Sequence, residues 1–195
     1  MADITETVET PLLLVAMPQV TDPFFHRSVV LLLEHDGEGS FGLILNRPTE
    51  LTLAELLSGL GVEWGGAPAA TSWLGGPVQP NIGTLLWGGA APPGGGEGVL
   101  EFAPGVKITR DVRVLSRVAA EPPERFRLLL GCAGWGAGQL EQEIARNDWL
   151  IAPFDADGAF DAPAGEMWER ALRSIGVRPE SLPSWTMPSE GDGNN

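Results

Sequence analysis

Reactive side chains are scarce in this sequence. Its 195 residues include one cysteine, one lysine and two histidines. The single cysteine, Cys132, excludes an intramolecular disulfide framework and fits a reducing compartment. Two histidines, with no His-x-x-x-His or Cys-x-x-Cys spacing, provide no recognisable set of transition-metal ligands. We therefore expect neither a metal nor another cofactor.

Long apolar runs and clustered basic charge are also scarce. No apolar run approaches the roughly 18 residues that would span a bilayer, and the acidic N-terminus, MADITETVETP, lacks the basic and apolar regions of a signal peptide. A formal net charge of -14 opposes binding to the phosphate backbone of nucleic acids. These features predict a cytoplasmic protein without direct membrane or nucleic-acid contacts.

The chain is long enough to bury a substantial core in one domain. We expect that domain at 11–182, between disordered segments at 1–10 and 183–195. The glycine-rich stretch 88–98 predicts a surface loop, and 155–161 a turn. The apolar spacing predicts four helices, at about 52–60, 110–119, 138–147 and 168–175. Predicted strands outnumber helices without regular βαβ alternation, which indicates an α+β fold.

The most informative stretch is Gly131–Trp149, with the sequence GCAGWGAGQLEQEIARNDW. It follows the apolar run Phe126–Leu130, and the pattern predicts a buried strand, a glycine-rich turn and a helix. Such a turn can present backbone N–H groups to a ligand, but the glycine spacing does not match a phosphate-binding loop. Trp135, between two glycines, is expected to stay partly exposed and to cover a small-molecule or partner site. Glu141 and Glu143, about 200° apart on the helix, should face different partners.

Five strings of residues resemble one family of small bacterial proteins, and together they cover most of the chain. They are Leu13–Pro18 (LLVAMP), Asp22–Asp36 (DPFFHRSVVLLLEHD), Gly42–Pro48 (GLILNRP), Gly75–Pro77 (GGP) and Gly131–Glu143 with Trp149. Their order and spacing resemble the YqgE/AlgH family. The resemblance implies an α+β domain with a bifurcated β-sheet, partly curled into a small barrel and surrounded by helices. One branch carries the label of a transcriptional regulator, which implies a regulatory role but names neither a DNA-binding nor a catalytic mechanism.

Residues at motif positions and at nearby strand ends form the candidate binding site. They are Asp22, Ser28, His35, Asn46, Arg47, Gly76, Trp135, Gln139, Glu141 and Glu143. We expect the strand ends among them to line one cleft with Trp135. This set favours a binding domain for an unknown small molecule or protein partner, as a monomer or homodimer. No residue is assigned a catalytic role.

A hydrolase or transferase is the alternative. In that hypothesis Ser28 is the nucleophile, His35 the base and Glu141 the acid that orients it, which are the residue types of a catalytic triad. However, Ser28 lies at the entry to an apolar strand, and no Gly-x-Ser-x-Gly elbow surrounds it. Cys132 follows a core strand and is expected to be a small buried residue, not a nucleophile.

Overall fold

The computed structural model of the chain describes residues 11–89 and 98–183. The segment 1–10, predicted to be disordered, lies outside these residues. So do most of the predicted loop at 88–98 and, apart from Pro183, the predicted tail at 183–195. The described residues form a mixed α/β structure in which a strongly curled antiparallel sheet makes a half-barrel, with a few helices packed on it. This architecture confirms the α+β fold.

The sheet contains ten strands in the described residues. In chain order they are β1 Leu12–Ala16, β2 Val29–Asp36, β3 Gly39–Ile44, β4 Pro48–Thr52, β5 Thr71–Leu74, β6 Val78–Gly88, β7 Leu100–Ala103, β8 Val106–Thr109, β9 Phe126–Gly136 and β10 Trp149–Pro153. The main path of paired strands runs β10-β1-β2-β3-β9-β6-β8-β7, and every pair along it is antiparallel. Strand β4 is not predicted by the sequence, because it begins at Pro48, and a proline normally ends a strand and is accepted only at a strand start or edge.

The sheet divides at β9. One edge of this strand pairs with β6. The other edge is shared, because Leu129 and Leu130 pair in parallel with β5 whereas 133–136 pair with β3. Gly131 lies at the division with φ +71°, and a Cβ there would sit 2.3 Å from the carbonyl oxygen of Gly76. Only glycine allows such an approach, so this residue makes the bifurcation sterically possible.

Five α-helices surround the sheet in the described residues. They are α1 Leu53–Ser58, α2 Val112–Ala120, α3 Gln139–Ala145, α4 Ala156–Asp161 and α5 Ala164–Ser174, followed by a 3-10 helix at Pro179–Ser181. A capping box of Thr52 and Glu55 begins α1. The turn expected at 155–161 was wrong for most of its length, because Asp155 accepts the backbone N–H groups of Asp157 and Gly158 and so caps α4. None of these helices is long and apolar enough to cross a membrane.

Both faces of the central strands are buried. Leu13 and Val15 of β1 pack in one apolar cluster with α5, whereas Leu12 and Leu14 pack in a second cluster with Leu140 of α3. Alternate side chains of a strand point to opposite faces, so a strand covered on both faces is continuously apolar. This explains the unbroken run LLLVA in β1 and places α3 directly against the sheet.

Candidate functional site

The candidate site is organised by α3, which follows β9 after the two residues Ala137 and Gly138. The predicted glycine-rich turn at 131–138 was therefore mostly wrong. β9 continues as a strand through Gly136 and pairs with β3. At Gly39, opposite Gly136, a Cβ would lie 2.4 Å from the carbonyl oxygen of Trp135. Glycine at position 39 thus permits the close approach of β3 and β9. In the sequence, a glycine that lets two strands approach cannot be told from a glycine in a turn.

Trp135 is buried, contrary to the expectation of an exposed ring, with only 6% of its surface accessible. Its ring centroid lies 6.2 Å from that of Phe25 and 5.8 Å from that of Trp149, which it meets edge to face. The indole Nε1 donates a hydrogen bond of 2.9 Å to Glu143 Oε2. The ring is therefore a wall of the site and not a cover over it, because α3 and the segment containing Phe25 enclose it.

Glu143 receives three neutral hydrogen-bond donors. Its Oε2 accepts the indole N–H groups of Trp135 and Trp149, the latter at 2.7 Å. Its Oε1 accepts the side-chain amide of Gln139 at 2.9 Å. An ionised carboxylate, which only accepts hydrogen bonds, satisfies all three. No cation pairs with Glu143 within the described residues, so the site holds a fixed negative charge without a counter-ion.

A cleft of about 360 Å³ opens beside this carboxylate, lined in part by Asp22, Phe25, Trp135, Gln139, Glu143 and Trp149. Four residues of the predicted set thus meet here: Asp22, Trp135, Gln139 and Glu143. Arg146 and Asp148 also line the cleft and form an ion pair of 2.9 Å. Three carboxylates and one guanidinium leave the lining with a formal charge of -2. The cleft is therefore acidic and walled by aromatic rings.

Asp22 reaches this cleft from an exposed turn before β2. Its Oδ1 accepts the backbone N–H groups of Phe24 at 2.8 Å and Phe25 at 3.3 Å. This is the arrangement that makes aspartate a turn residue. The turn holds Phe25 against the two tryptophans. The second carboxylate oxygen of Asp22, Oδ2, takes no part in these two hydrogen bonds.

Glu141 lies on the opposite side of α3 from Glu143 and approaches His35. The helical spacing predicted that these two glutamates would have different partners. His35 Nε2 lies 3.9 Å from Glu141 Oε1, and His35 Nδ1 lies 2.8 Å from Ser40 Oγ. Ser40 pairs with His35 across β2 and β3, and with Trp135 across β3 and β9. Directly opposite side chains in antiparallel strands share a face. One row of the sheet therefore connects the histidine to the aromatic cleft.

Ser28 does not join His35 and Glu141. His35 lies seven positions after Ser28 along an extended strand, which is a distance of roughly 23 Å. Ser28 is fully buried, and its Oγ has no hydrogen-bond partner in the described part of the chain. The serine that contacts His35 is Ser40, through Nδ1, whereas the nucleophile of a serine-protease triad contacts Nε2. The hydrolase hypothesis built on Ser28 thus has no assembled nucleophile.

Asn46 and Arg47 have a structural role, because their side chains bind backbone groups at and just before the start of β2. Asn46 Oδ1 accepts the backbone N–H of Val29 at 3.0 Å, and its Nδ2 donates to the carbonyl of Arg27 at 2.9 Å. Arg47 donates to the carbonyl oxygen of His26, and burial lowers the pKa of its guanidinium. These bonds fix the segment that continues from Asp22 into β2. Neither residue lines the 360 Å³ cleft.

Gly76 and Cys132 also have structural explanations. A Cβ on Gly76 would lie 2.2 Å from the carbonyl oxygen of Cys132. The Cys132 thiol is buried, lies 3.6 Å from the carbonyl oxygen of Val78 and has its pKa raised by burial. Because the thiolate is the reactive form, this environment opposes nucleophilic chemistry, in agreement with the sequence analysis.

The buried hydroxyl of Ser28 leads to a stability prediction. The Ser28→Ala substitution should raise the free energy of unfolding by about 1 kcal/mol, because it removes an unsatisfied buried polar group. Urea denaturation measures the change. Ser72 is the matched control: it is equally buried, but its Oγ lies 2.7 Å from Thr49 Oγ1, so Ser72→Ala should be destabilising. Destabilisation by Ser28→Ala would show that its hydroxyl has a partner in solution.

Sequence reasoning missed Phe25, Ser40, Arg146 and Asp148 as site residues. For Ser40 a signal was present. The Asp36-Gly37 pair at the end of β2 is typical of a hairpin, and the observed register of the two strands places Ser40 opposite His35. Arg146 and Asp148 leave no comparable signal, since charged residues after a helix are ordinary surface residues.

Comparison with known proteins gives one consistent result. An AlgH-like family model (DUF179) matches residues 13–180. UPF0301 proteins of Xanthomonas campestris pv. campestris are 41% identical over 174 residues, covering 86% of this chain and 91% of theirs. The solution structure of AlgH from Pseudomonas aeruginosa has a TM-score of 0.73 at 35% identity, covering 91% of this chain and 94% of its own. A Corynebacterium diphtheriae protein has the same fold, with a TM-score of 0.69 at 24% identity over 86% and 87% of the two chains. By sequence and by fold, the chain belongs to the AlgH-like family.

Proposed function

We propose that the chain is a binding domain whose α3 cleft receives a cationic group of a small ligand. The observation that carries the proposal is the Glu143 carboxylate, which three neutral donors hold in place and which no cation neutralises within the described residues. Asp22 adds a second carboxylate on the cleft wall. Family membership does not by itself assign a ligand, and the support for a cationic one is this arrangement of carboxylates.

The cleft provides what an organic cation needs. Its volume of about 360 Å³ is within the range of small-molecule sites. Aromatic faces attract ammonium and guanidinium groups, and of the three rings that line the cleft Phe25 is partly exposed, whereas Trp135 and Trp149 are 6% and 3% exposed. The three hydrogen bonds to Glu143 fix its carboxylate before a ligand arrives, which reduces the entropic cost of binding.

The proposal predicts that 1,4-diaminobutane binds the protein and that the neutral isostere 1,4-butanediol does not. The Asp22→Asn substitution should weaken diamine binding about fivefold, because removing one surface charge at contact distance costs about 1 kcal/mol. Asparagine keeps the turn, since its Oδ1 can still accept the two N–H groups. Isothermal titration calorimetry at low salt measures both affinities.

Asp36→Asn is the matched control for this experiment. Asp36 Oδ1 also accepts backbone N–H groups from two and three residues ahead, Glu38 and Gly39, but Asp36 does not line the cleft. The control makes the same change in net charge and should leave diamine affinity nearly unchanged. Equal losses in the two variants would mean that only the overall charge of -14 attracts the diamine, and the cleft would then not be the site.

The remaining parts of the proposal concern cellular context. The single domain 11–182 is proposed to be cytoplasmic, a monomer or homodimer, and to act in regulation through its ligand and not through direct contact with DNA. The net charge of -14 supports the last point. So does the pairing of Arg113 with Asp111 at 2.6 Å, which reduces the positive charge that α2 presents to solvent.

A further inference from the structure

A second cavity lies on another side of the molecule, between α1, α2 and the strands β6 and β9. Its volume is about 420 Å³. Leu56, Leu85, Leu115 and Leu128 contribute apolar wall, with Asn81 and Thr109 among the polar lining residues. It shares no lining residue with the acidic cleft at α3. An occupant of this cavity would therefore be independent of the function proposed above.

Exposed apolar side chains surround the opening of this cavity. Leu60 is 57% exposed, Val112 54% and Ile82 43%, and all three belong to the lining. Single exposed apolar residues are ordinary, but a contiguous group around a concavity is typical of a ligand or partner site. An occupant with an aliphatic chain would remove this surface from water.

Arg110 supplies a cation at the boundary between this cavity and a neighbouring one, since it lines both. Its Nε donates to Thr84 Oγ1 at 3.1 Å, and its guanidinium carbon lies 4.6 Å from the ring centroid of Phe41. These contacts hold the side chain in place, yet Arg110 is exposed and forms no ion pair within the described residues.

Two carboxylates lie near Arg110 without neutralising it. Asp111, which also lines the cavity, pairs with Arg113, and the hydrogen bonds from Arg113 lower the Asp111 pKa to about 2. Glu34 lines a neighbouring cavity of about 400 Å³ that Arg110 also borders, and no ion pair joins the two in the described structure. The opening of the apolar cavity thus has one guanidinium available for an anion.

We propose that this cavity binds an aliphatic monocarboxylate, with the alkyl chain against the leucines and the carboxylate on Arg110. A guanidinium matches the planar, two-oxygen geometry of a carboxylate. The apolar lining contributes affinity for the alkyl chain of the ligand but does not distinguish one alkyl chain from another. Arg110 selects ligands whose head group is negatively charged. The ligand class is therefore defined by one charge and one alkyl chain.

Isothermal titration of the full chain with octanoate and with 1-octanol tests the proposal. Octanoate should bind at least tenfold more tightly than octanol, because only octanoate makes charge-assisted hydrogen bonds to Arg110. Each methylene between hexanoate and octanoate should add about fourfold in affinity. The Arg110→Gln substitution should remove the preference for octanoate while leaving octanol binding unchanged.

Two further variants complete the experiment. Arg170→Gln makes the same charge change on α5, where Arg170 pairs with Glu166, and should leave octanoate affinity as in the wild type. Ile82→Trp should place a ring in the opening and weaken both probes. The proposal is overturned if neither probe binds, if octanol binds as tightly as octanoate, or if Arg110→Gln and Arg170→Gln weaken octanoate binding equally.

Discussion

Replacing Trp135 by alanine should lower the free energy of unfolding by about 4 kcal/mol, the usual cost of deleting a large buried aromatic side chain. The indole is 6% exposed and packs between Phe25 and Trp149. The substitution also removes one of the two indole donors to Glu143. Urea denaturation followed by far-UV circular dichroism measures the loss without relying on tryptophan fluorescence.

The Trp135→Phe variant separates packing from hydrogen bonding. Phenylalanine retains most of the aromatic contact but cannot donate to Glu143, so it should cost about 2 kcal/mol, the value of a hydrogen bond to a charged group. Trp149 continues to hold Glu143 in this variant. If Trp135→Ala lowered the free energy of unfolding by less than about 1 kcal/mol, the result would contradict the buried position of Trp135. It would favour the partly exposed ring that the sequence predicts.

The Gly76→Ala substitution should be destabilising by about 3 kcal/mol or more. An added Cβ would lie 2.2 Å from the carbonyl carbon and oxygen of Cys132 and 2.4 Å from the backbone nitrogen of Ala133. All three are backbone atoms of β9 at the division of the sheet, so no side-chain rotation can relieve the overlap, and overpacking of this kind is strongly destabilising. Chemical denaturation and the yield of folded protein measure the effect.

Gly37→Ala is the matched control for Gly76→Ala. Gly37 lies in the turn between β2 and β3, and a Cβ there would meet no atom within 4 Å. Its substitution should change the free energy of unfolding by less than about 0.5 kcal/mol. Similar stability of the two variants would show that the strands at the division are farther apart than described.

Much of the fold was predictable because local chemistry and long-range packing agree. The Thr52-x-x-Glu55 pattern is the sequence signature of a capping box, and both of its hydrogen bonds are present at the start of α1. The continuous apolar run LLLVA is typical of a strand buried on both faces, and the two faces of β1 pack in two different apolar clusters. The bifurcation itself followed only from the family resemblance, since no local pattern shows that β9 shares one edge between β3 and β5.

The site was less predictable because its residues depend on pairing across the sheet. Glycines at 131, 134 and 136 favour a turn by their spacing, yet all three lie in β9; a close neighbour requires glycine only at 131, where a Cβ would lie 2.3 Å from the Gly76 carbonyl oxygen. Trp135 is buried by Phe25, which is 110 residues away in the sequence. Of Ser28, His35 and Glu141, the structure brings together only His35 and Glu141. Residue types could not show that the strand register would place Ser40, and not Ser28, beside His35.

The indole N–H resonances of a ¹⁵N-labelled sample, titrated with 1,4-diaminobutane, test the central claim most directly. Trp135 and Trp149 both donate to Glu143, so their indole signals should shift and saturate with one common dissociation constant. Trp64 and Trp168 donate instead to the carbonyls of Ala67 and Ala16, and their signals should not move. Saturable shifts at Trp135 and Trp149 alone would establish the α3 cleft as a cation site. Unmoved signals at these two residues, at diamine concentrations that bind by calorimetry, would contradict it.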